Sequence, residues 1–233
     1  MPKILLVKTS SLGDVVHNLP VVSDIHAHLR NATVDWVVEE SFAGIPAMHP
    51  GIHRVIPVAM RRWRKAPFSA GVRAKVAAFR EQLAATRYDF ILDTQGLIKS
   101  AIITRLASGT RCGYAWDSAR EPLAALFYKC TFTVPKALHA VERNRILAGK
   151  TFGYQPANGP SYGILPPAIS LPWLPQHPYA VLLHATSRAD KQWREANWLG
   201  LGKYFNSIGM TCILPWGSDA EHVQSQQLSK GIA

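Results

Sequence analysis

The chain has 233 residues, of which 48% are hydrophobic and 18% are charged, an ordinary composition for a globular protein. This composition excludes a disordered or low-complexity protein, and no apolar run approaches the roughly 20 residues of a membrane-spanning helix. The start MPKILLVK is too short and too charged for a signal peptide, so we expect a cytoplasmic protein.

Basic residues outnumber acidic ones by 26 to 15, which gives a formal net charge of +11. Such a charge attracts nucleic acid, anionic lipid headgroups or phosphorylated small substrates, and it does not by itself choose among them. The three cysteines, Cys112, Cys130 and Cys212, are an odd number without metal-type spacing, which favours buried free thiols. The histidine spacings likewise predict no metal site.

Strand-like and helix-like segments alternate along the chain. In chain order, the pattern predicts strands at 3–8, 33–39, 53–59, 88–93, 110–114, 179–185 and 210–217. Helices are predicted at 20–30, 97–106, 195–209, from Ser218 onward, and on the apolar face formed by Val72, Val76, Phe79 and Leu83. Alternation of this kind predicts an α/β fold, with a parallel sheet covered on both faces.

A proline-rich stretch separates two parts of the chain. Seven prolines and three glycines lie between residues 153 and 178, too many for regular structure, so we predict a linker at 154–178. The linker divides an N-terminal domain at 1–153 from a C-terminal domain at 179–233. Two strands and two helices are only a fraction of a doubly wound domain, which usually exceeds about 100 residues, so we expect the second domain to be incomplete.

The loop after the first strand, KTSSLGDVVHN, leads into a helix. Open parallel sheets bind ligands at the carboxyl ends of their strands, but this loop lacks the glycines of a phosphate site. Asp14 fits a helix cap, the commoner role for an aspartate after a turn. A more specific alternative is a general base, kept ionised by the helix dipole and by the hydroxyls of Ser10 and Ser11.

Two further loops carry charged and polar side chains. RRWRKAPF concentrates cations around one tryptophan, as in an exposed basic loop or in a clamp for an acidic partner. LDTQGLIKSA places Asp93, Gln95 and Lys99 around Gly96, which allows a ligand to approach closely, although Asp93 also fits a cap.

The loop LLHATSRADKQW is the best phosphate candidate. It combines the hydroxyls of Thr186 and Ser187 with the cations Arg188 and Lys191 just before a helix, as a pyrophosphate requires. Glu221, at the start of the last helix, fits a contact with the hydroxyls of a nucleotide ribose, and an interaction with the helix dipole explains it equally.

Strings spread along the chain resemble the lipopolysaccharide heptosyltransferases of glycosyltransferase family 9, and among them the heptosyltransferase I branch. From about Lys3 to Glu221 they are VKTSSLGDVVHNLP, DWVVEE, VIPVAMRRWRK, DTQGLIKSA, AREPLAALFY, HAVERNR, LLHATSRADKQW and LPWG. The resemblance implies a GT-B-like architecture of two Rossmann-like, doubly wound parallel-sheet domains, the second incomplete here. It implies inverting transfer of L-glycero-D-manno-heptose from ADP-heptose to a Kdo residue of Kdo-lipid A, without metal or other cofactor. It also implies an enzyme peripheral to the cytoplasmic face of the inner membrane, whose acidic acceptor explains the basic charge without nucleic acid.

The resemblance also implies roles for individual residues. Asp14 corresponds to the general base that deprotonates the Kdo hydroxyl. The implied acceptor contacts are Ser10, Ser11, Arg61, Arg62, Arg64, Lys65, Gln95 and Arg120. The implied donor contacts are Thr186, Ser187 and Lys191 for the pyrophosphate and Glu221 for the ribose. Ser187 stands where a second threonine is common.

The family pattern continues with a stretch like DTGLxHLAAA, which holds the heptose and phosphates, and the sequence ends before it. We therefore expect an incomplete donor site. Two alternatives remain open: a family member with a different acceptor, as in heptosyltransferase II, and an inactive acceptor-binding fragment. An RNA-binding protein is disfavoured, because the cations follow strand ends and do not form a stripe interleaved with aromatic residues.

Overall fold

A computed structural model describes residues 1–168, 170–186 and 189–232 of the chain. The chain divides into two units, Met1–Pro167 and Ala168–Ala233. The first unit includes residues 154–167, where Tyr154 stacks on His28 at 4.4 Å and the Leu165 N–H donates to the Met48 carbonyl at 2.9 Å. The domain and linker limits given by the sequence stay a prediction.

The first unit is built on one parallel sheet. Within its described residues the strands are β1 (Lys3–Val7), β2 (Thr33–Glu39), β3 (Ile52–Val58), β4 (Arg87–Asp93), β5 (Ser108–Tyr114) and β6 (Cys130–Phe132). Its α-helices are α1 (Leu12–Val16), α2 (Leu19–His28), α3 (Gly44–Ala47), α4 (Met60–Trp63), α5 (Ala70–Ala84), α6 (Ile98–Thr104) and α7 (Ala140–Phe152). The strand order is β3-β2-β1-β4-β5-β6, with parallel pairing throughout.

Apolar strands explain why this sheet is covered on both faces. Four of the five residues of β1 are buried, and alternate side chains face opposite sides of the sheet. On one side, Trp36 packs in a cluster with residues of α2 and α7. On the other, Leu5 and Val7 pack with Phe79 and Leu83 of α5. The predicted α/β doubly wound pattern is therefore present in this unit.

The strand order reverses between β1 and β4. At such a switch point the loops after the two strands leave the same edge and open a crevice between them. The β1–β4 register pairs Val7 with Asp93, so the loop that begins at Lys8 runs beside the loop that begins at Thr94. These two loops contain Ser10, Ser11 and Gln95, which the sequence identified as candidates.

The second unit contains β7 (Tyr179–Val181), α8 (Glu195–Ser207), β8 (Thr211–Ile213) and α9 (Asp219–Ile232) within its described residues. The two strands pair in parallel, and Leu182, Leu228 and Ile232 form its apolar cluster. The predicted strands at 179–185 and 210–217 are wrong in length, because among the described residues each has only one partner strand and their ladder ends after three pairs. Among the described helices, none combines the length and apolarity that crossing a bilayer requires.

Several elements of the first unit escaped the sequence analysis. The pattern of α7 is weak because two of its buried residues, Asn144 and Arg145, are polar. The strand β6 has only three residues, none of them fully buried. The prediction of buried thiols holds for Cys112 alone, since Cys130 and Cys212 are half-buried, and all three are free.

Candidate functional site

Asp14 lies in the first turn of α1, at the crevice between the β1 and β4 loops. Its Oδ2 accepts a hydrogen bond from the Ser11 backbone N–H at 2.8 Å and one from the Ser11 hydroxyl at 3.2 Å. The structure therefore shows the capping role that the sequence left open. The carboxylate is half-buried, and its other oxygen takes no part in these two bonds. Capping thus fixes the direction of the group and leaves one oxygen for another partner.

Gln95 joins the two loops of the crevice. Its Oε1 accepts from the Thr9 backbone N–H at 2.7 Å and from the Thr9 hydroxyl at 2.8 Å, and its Nε2 donates to the Ser10 carbonyl at 2.7 Å. Gln95, Thr9 and Ser10 are all buried, so water competes little for these bonds. The Ser10 hydroxyl accepts from the Lys99 ammonium at 2.9 Å. Gln95 and Ser10 therefore hold the loop in place, and their contact with an acceptor stays a prediction.

Asp93 ends β4 and is fully buried. Its Oδ1 accepts from the N–H groups of Gln95 at 2.7 Å and Gly96 at 3.2 Å, and its Oδ2 accepts from the Tyr128 hydroxyl at 2.7 Å. Burial raises the pKa of Asp93, although these hydrogen bonds oppose the rise. Gly96 has a φ of +65°, and a Cβ there would lie 3.3 Å from the backbone nitrogen of Arg120. The turn thus brings the exposed Arg120 against the crevice.

Lys8 is a charged residue of the crevice that the sequence analysis missed. Its side chain is buried, with the residue 6% exposed, and its Nζ donates to the Thr94 carbonyl at 2.8 Å. Burial lowers the pKa of Lys8 to about 8, and the carboxylates of Asp14 and Asp93 oppose that change. The signal available in the sequence was a lysine directly after four buried apolar residues of β1, at the edge where ligands bind.

Arg143 of α7 is a second missed cation, although it lies in the quoted string HAVERNR. Its Nη2 donates to the Ser118 carbonyl at 2.6 Å, and its guanidinium lies over the Tyr114 ring at 4.9 Å. Together with Arg120 it acts electrostatically on Lys8. Cations from α7, from the residue after β1 and from the loop after β5 are therefore close enough to interact electrostatically at one edge of the sheet.

The four cations predicted to bind an acceptor lie on α4 and the turn after it, and all are exposed: Arg61, Arg62, Arg64 and Lys65. The Arg61 backbone N–H donates to Glu39 at 3.1 Å, and Glu39 donates its own N–H to the Thr9 carbonyl at 3.0 Å. Arg62 pairs with Glu40 at 2.8 Å. The basic loop is therefore connected to the Asp14 crevice through the end of β2.

The predicted donor residues lie in the second unit. Thr186 is exposed after β7, and Lys191 is exposed at the end of a short 3-10 helix, Ala189–Lys191. Ser187 and Arg188 lie outside the described residues. Glu221, in the first turn of α9, accepts the Gly217 N–H at 2.7 Å.

A buried contact joins the loop after β7 to α9. His184 Nε2 lies 2.8 Å from the Ser225 hydroxyl, and both residues are buried. This contact holds α9, the helix that begins near Glu221, against the loop that bears Thr186. No sequence pattern pointed to it, since His184 stands in an otherwise apolar run. Among the described residues of both units, no group of three or more His, Cys, Asp and Glu side chains could hold a metal ion.

The sequence matches a family model and several known proteins. The family model of glycosyltransferase family 9 (heptosyltransferase) matches residues 76–233. The lipopolysaccharide heptosyltransferase 1 of Salmonella typhimurium is 46% identical over 232 residues, which are 99% of this chain and 73% of that protein.

Two solved structures are also similar to the chain. One is the E. coli heptosyltransferase WaaC with ADP, which is 45% identical, with a TM-score of 0.90 over 99% of this chain and 73% of that chain. The other is WaaC with ADP-2-deoxy-2-fluoro heptose, 46% identical, with a TM-score of 0.88 over 99% of this chain and 74% of that chain. These similarities confirm the predicted GT-B-like α/β fold class.

Proposed function

The chain belongs to glycosyltransferase family 9, and on that premise we propose that it transfers a heptose from ADP-heptose to the inner core of lipopolysaccharide. Membership of the family makes it a glycosyltransferase. We assign the acceptor as a Kdo residue of Kdo-lipid A and the reaction as an inverting transfer. Support comes from the 46% identity to a lipopolysaccharide heptosyltransferase 1 over 99% of the chain.

Asp14 is the proposed general base. It would take the proton of the acceptor hydroxyl, whose oxygen attacks the anomeric carbon of the heptose as the bond to ADP breaks. Attack from the face opposite the leaving group inverts the configuration and needs one base on that face. The observation that carries this assignment is the Asp14 carboxylate itself, fixed through Oδ2 by Ser11 at the crevice with its second oxygen outside the cap.

The second unit would hold ADP-heptose. The hydroxyls of Thr186 and Ser187 and the ammonium group of Lys191 would bind the pyrophosphate, and Glu221 the ribose. Fixed cations and N–H groups stabilise a departing diphosphate as a metal ion would, so we propose a reaction without metal or other cofactor. A relative of 45% identity was solved with ADP, which supports this type of donor.

The first unit would hold the acceptor. Exposed guanidinium and ammonium groups suit the carboxylates and phosphates of a Kdo-lipid A molecule. We assign this role to Arg61, Arg62, Arg64, Lys65 and Arg120, and place Ser10, Ser11 and Gln95 along the same crevice. A lipid-anchored acceptor also places the enzyme on the cytoplasmic face of the inner membrane, as a peripheral protein.

A heptose-transfer assay tests the proposal. It compares the chain with a version extended by the remaining C-terminal residues of the Salmonella relative, of which the chain spans 73%. In the version that turns over, D14N should lower kcat by about 10² to 10⁴ and leave ADP affinity unchanged. D89N is the matched control, because Asp89 is exposed at the opposite edge of the sheet and bonds only the Lys3 N–H among the described residues.

Three results would contradict parts of the proposal. Full turnover in D14N would exclude Asp14 as the general base. Transfer only to an acceptor that already carries a heptose would assign the chain to the heptosyltransferase II type of reaction. If neither version transfers heptose but both still bind Kdo-lipid A, the chain is an acceptor-binding protein and not a transferase.

A further inference from the structure

Two of the three cysteines lie side by side on neighbouring strands. The register of β5 and β6 pairs Cys112 directly with Cys130, and both pack with the apolar cluster that contains Trp36. The third cysteine, Cys212 of β8, is paired with Ala180 and packs in the apolar cluster of the second unit. All three thiols are free. The chain therefore holds one cysteine pair and one strand cysteine whose partner in register is an alanine.

Backbone hydrogen bonds on both sides hold the cysteine pair in register. Before the pair, the Lys129 N–H donates to the Arg111 carbonyl at 2.8 Å. After it, the Ala115 N–H donates to the Phe132 carbonyl at 2.9 Å. A slip of one residue would turn one of the two cysteines to the opposite face, because successive side chains of a strand alternate between faces. The two cysteines are therefore held on the same face of the sheet.

The spacing of paired strands suits a disulfide bond. Neighbouring strands lie about 4.8 Å apart, so directly paired residues have their Cα atoms at about that distance. Disulfide bonds join residues whose Cα atoms are about 4.4 to 6.8 Å apart and whose Cβ atoms do not point away from each other. Cys112 and Cys130 meet both conditions. Joining their sulfur atoms therefore needs only small changes in the backbone.

The two thiols differ in access to reagents. Cys112 is 1% exposed, and burial, followed by the neighbouring Cys130 thiol, raises the pKa of Cys112 to about 12. Its sulfur is therefore mostly protonated at neutral pH and shielded from reagents in water. Cys130 is half-buried and lies on β6, the last strand in the strand order of the sheet. An oxidant therefore reaches Cys130 first, and Cys112 is placed to react with the product.

We propose that Cys112 and Cys130 are a reversible oxidation site whose co-reactant is a low-molecular-weight disulfide. The Cys130 sulfur loses its proton and attacks this disulfide, which gives a mixed disulfide and releases one small thiolate. The Cys112 sulfur then loses its proton and attacks the Cys130 sulfur, which releases the second small thiolate. Each small thiolate takes up one of the two protons. Two protein thiols are thus oxidised to one disulfide bond, and one small disulfide is reduced to two small thiols.

The bond would fasten the edge strand to the sheet. β6 has only three residues and stands next to β5 at the end of the strand order. The residues between the two cysteines, 113–129, carry Arg120 and the Tyr128 hydroxyl that donates to Asp93. A bond at the base of a segment of this length restricts the unfolded chain more than the folded one. The oxidised chain should therefore unfold at a temperature higher by about 5 °C.

Incubation of folded C212S with oxidised and reduced glutathione tests the proposal, because Cys112 and Cys130 are then the only cysteines. Alkylation with iodoacetamide followed by intact mass spectrometry counts the thiols that remain. We expect a monomer that has lost two hydrogen atoms, carries neither glutathione nor an alkyl group, and returns to the reduced mass with dithiothreitol. Peptide mapping should place the bond between the two cysteines. An unchanged mass, a disulfide-linked dimer, or glutathione retained on Cys130 beside a free Cys112 would overturn the proposal.

C130S is the matched control. It keeps two cysteines, as C212S does, but they are Cys112, buried in the first unit, and Cys212 of the second unit. Folded C130S should lose the ability to form an internal disulfide bond, and should regain it only after unfolding in urea, where any two cysteines can meet. If folded C130S forms such a bond as readily as folded C212S, the register of β5 and β6 does not select the pair, and the proposal fails.

Thermal unfolding tests whether the bond fastens β6. The midpoint of C212S should rise by about 5 °C on oxidation, and that of C130S treated in the same way should not change. An equal or lower midpoint of oxidised C212S would mean that the bond distorts the strands, which contradicts the proposed fastening. Neither experiment involves heptose transfer. The oxidation site can therefore fail while the proposed function stands, and the proposed function can fail while the oxidation site stands.

Discussion

Asp24 and Arg145 form the most completely buried ion pair among the described residues. Arg145 Nε donates to Asp24 Oδ2 at 2.7 Å, its Nη2 donates to Oδ1 at 2.9 Å, and both side chains are 8% exposed. The bond to Asp24 raises the pKa of Arg145. The same Nη2 donates to the Ala157 carbonyl at 2.9 Å, so the pair ties α2, α7 and the stretch after Tyr154 together.

Removing one partner of this pair should destabilise the first unit strongly. We expect R145M to lower the free energy of unfolding by about 3 kcal/mol, because Asp24 would keep a buried, unpaired charge. Urea unfolding followed by circular dichroism measures this. R62M is the control: Arg62 and Glu40 are 55% and 42% exposed, and such a pair contributes at most about 1 kcal/mol. Equal effects of R145M and R62M would contradict the prediction.

Lys8 should also make stability depend on pH. In the folded chain its pKa is about 8, below the ordinary value of 10.5, so the unfolded chain holds the proton more tightly. Between these two values the unfolded state binds more protons, and stability therefore rises with pH. Between pH 8 and 9.5 we expect the free energy of unfolding of the wild type to gain about 1.5 kcal/mol relative to K8M. Urea unfolding of both at several pH values measures it, and parallel pH profiles would contradict it.

These residues also show where prediction from sequence ends. The cap at Asp14 is a contact over three residues, and the sequence offered a capping role for Asp14, although Ser11 is the N-cap residue and Asp14 bonds back to it. Lys8 owes its burial and its bond to a loop 86 residues away, which no local pattern records. Arg145 and Asp24 are 121 residues apart, and each interrupts the apolar pattern of its own helix, α7 and α2. Residues fixed by local geometry were predictable, and residues fixed by strand order were not.

At the scale of elements, residues 61–80 form a basic segment. They contain seven of the 26 lysines and arginines of the chain and no acidic residue. The segment starts on α4, where Trp63 packs edge to face on Phe79 at 5.6 Å, and continues into α5. Phe68, in the turn between the helices, is 90% exposed. Because β3 ends at Val58, this turn lies at the same edge of the sheet as the Asp14 crevice.

A basic segment with an exposed aromatic tip fits an anionic lipid surface, as the proposed membrane location requires. We expect the chain to bind vesicles that contain phosphatidylglycerol and not vesicles of phosphatidylcholine alone. R73E/K75E should weaken this binding at least about tenfold, since each cation near the surface contributes about 1 kcal/mol. F68S should weaken it by removing the apolar ring that would insert into the membrane surface. Vesicle sedimentation measures all three.

The control for the vesicle experiment reverses two charges at the other edge of the sheet. Lys3 and Arg87 begin β1 and β4 and are exposed. K3E/R87E changes the net charge by the same amount as R73E/K75E and should bind vesicles nearly as well as the wild type. If both double variants lose binding equally, net charge and not the segment 61–80 attracts the membrane.

The length and burial of an element decide whether the sequence predicts its limits. The strands β1, β2 and β4 were predicted to within one residue because apolar residues dominate them, as is typical of buried parallel strands. The limits of β7 and β8 depend on how many residues find a partner, which is a property of the sheet and not of either segment. Short elements such as α3 and α4 have only four residues each and no period that a pattern could reveal.

At the scale of the whole molecule, the proposed function divides its work between the two units. Acceptor residues and the base come from Met1–Pro167, and donor residues come from Ala168–Ala233. Variants of the second unit should therefore change nucleotide affinity, and variants of the first should change only turnover or acceptor affinity. The exposed Lys191 and the half-buried Glu221 are the residues on which this division depends.

Isothermal titration calorimetry with ADP tests this assignment, because it measures the affinity of each variant for the nucleotide. In the chain extended with the C-terminal residues of its Salmonella relative, K191M should weaken ADP binding by roughly tenfold or more, because a hydrogen bond to a charged group contributes about 1.5 to 3 kcal/mol. E221Q should weaken it less, since the amide oxygen still accepts from a ribose hydroxyl. K203M, which removes an exposed lysine of α8, is the matched control and should leave the affinity unchanged. If K191M and K203M bind ADP alike, or if D14N loses ADP binding, the donor site lies elsewhere.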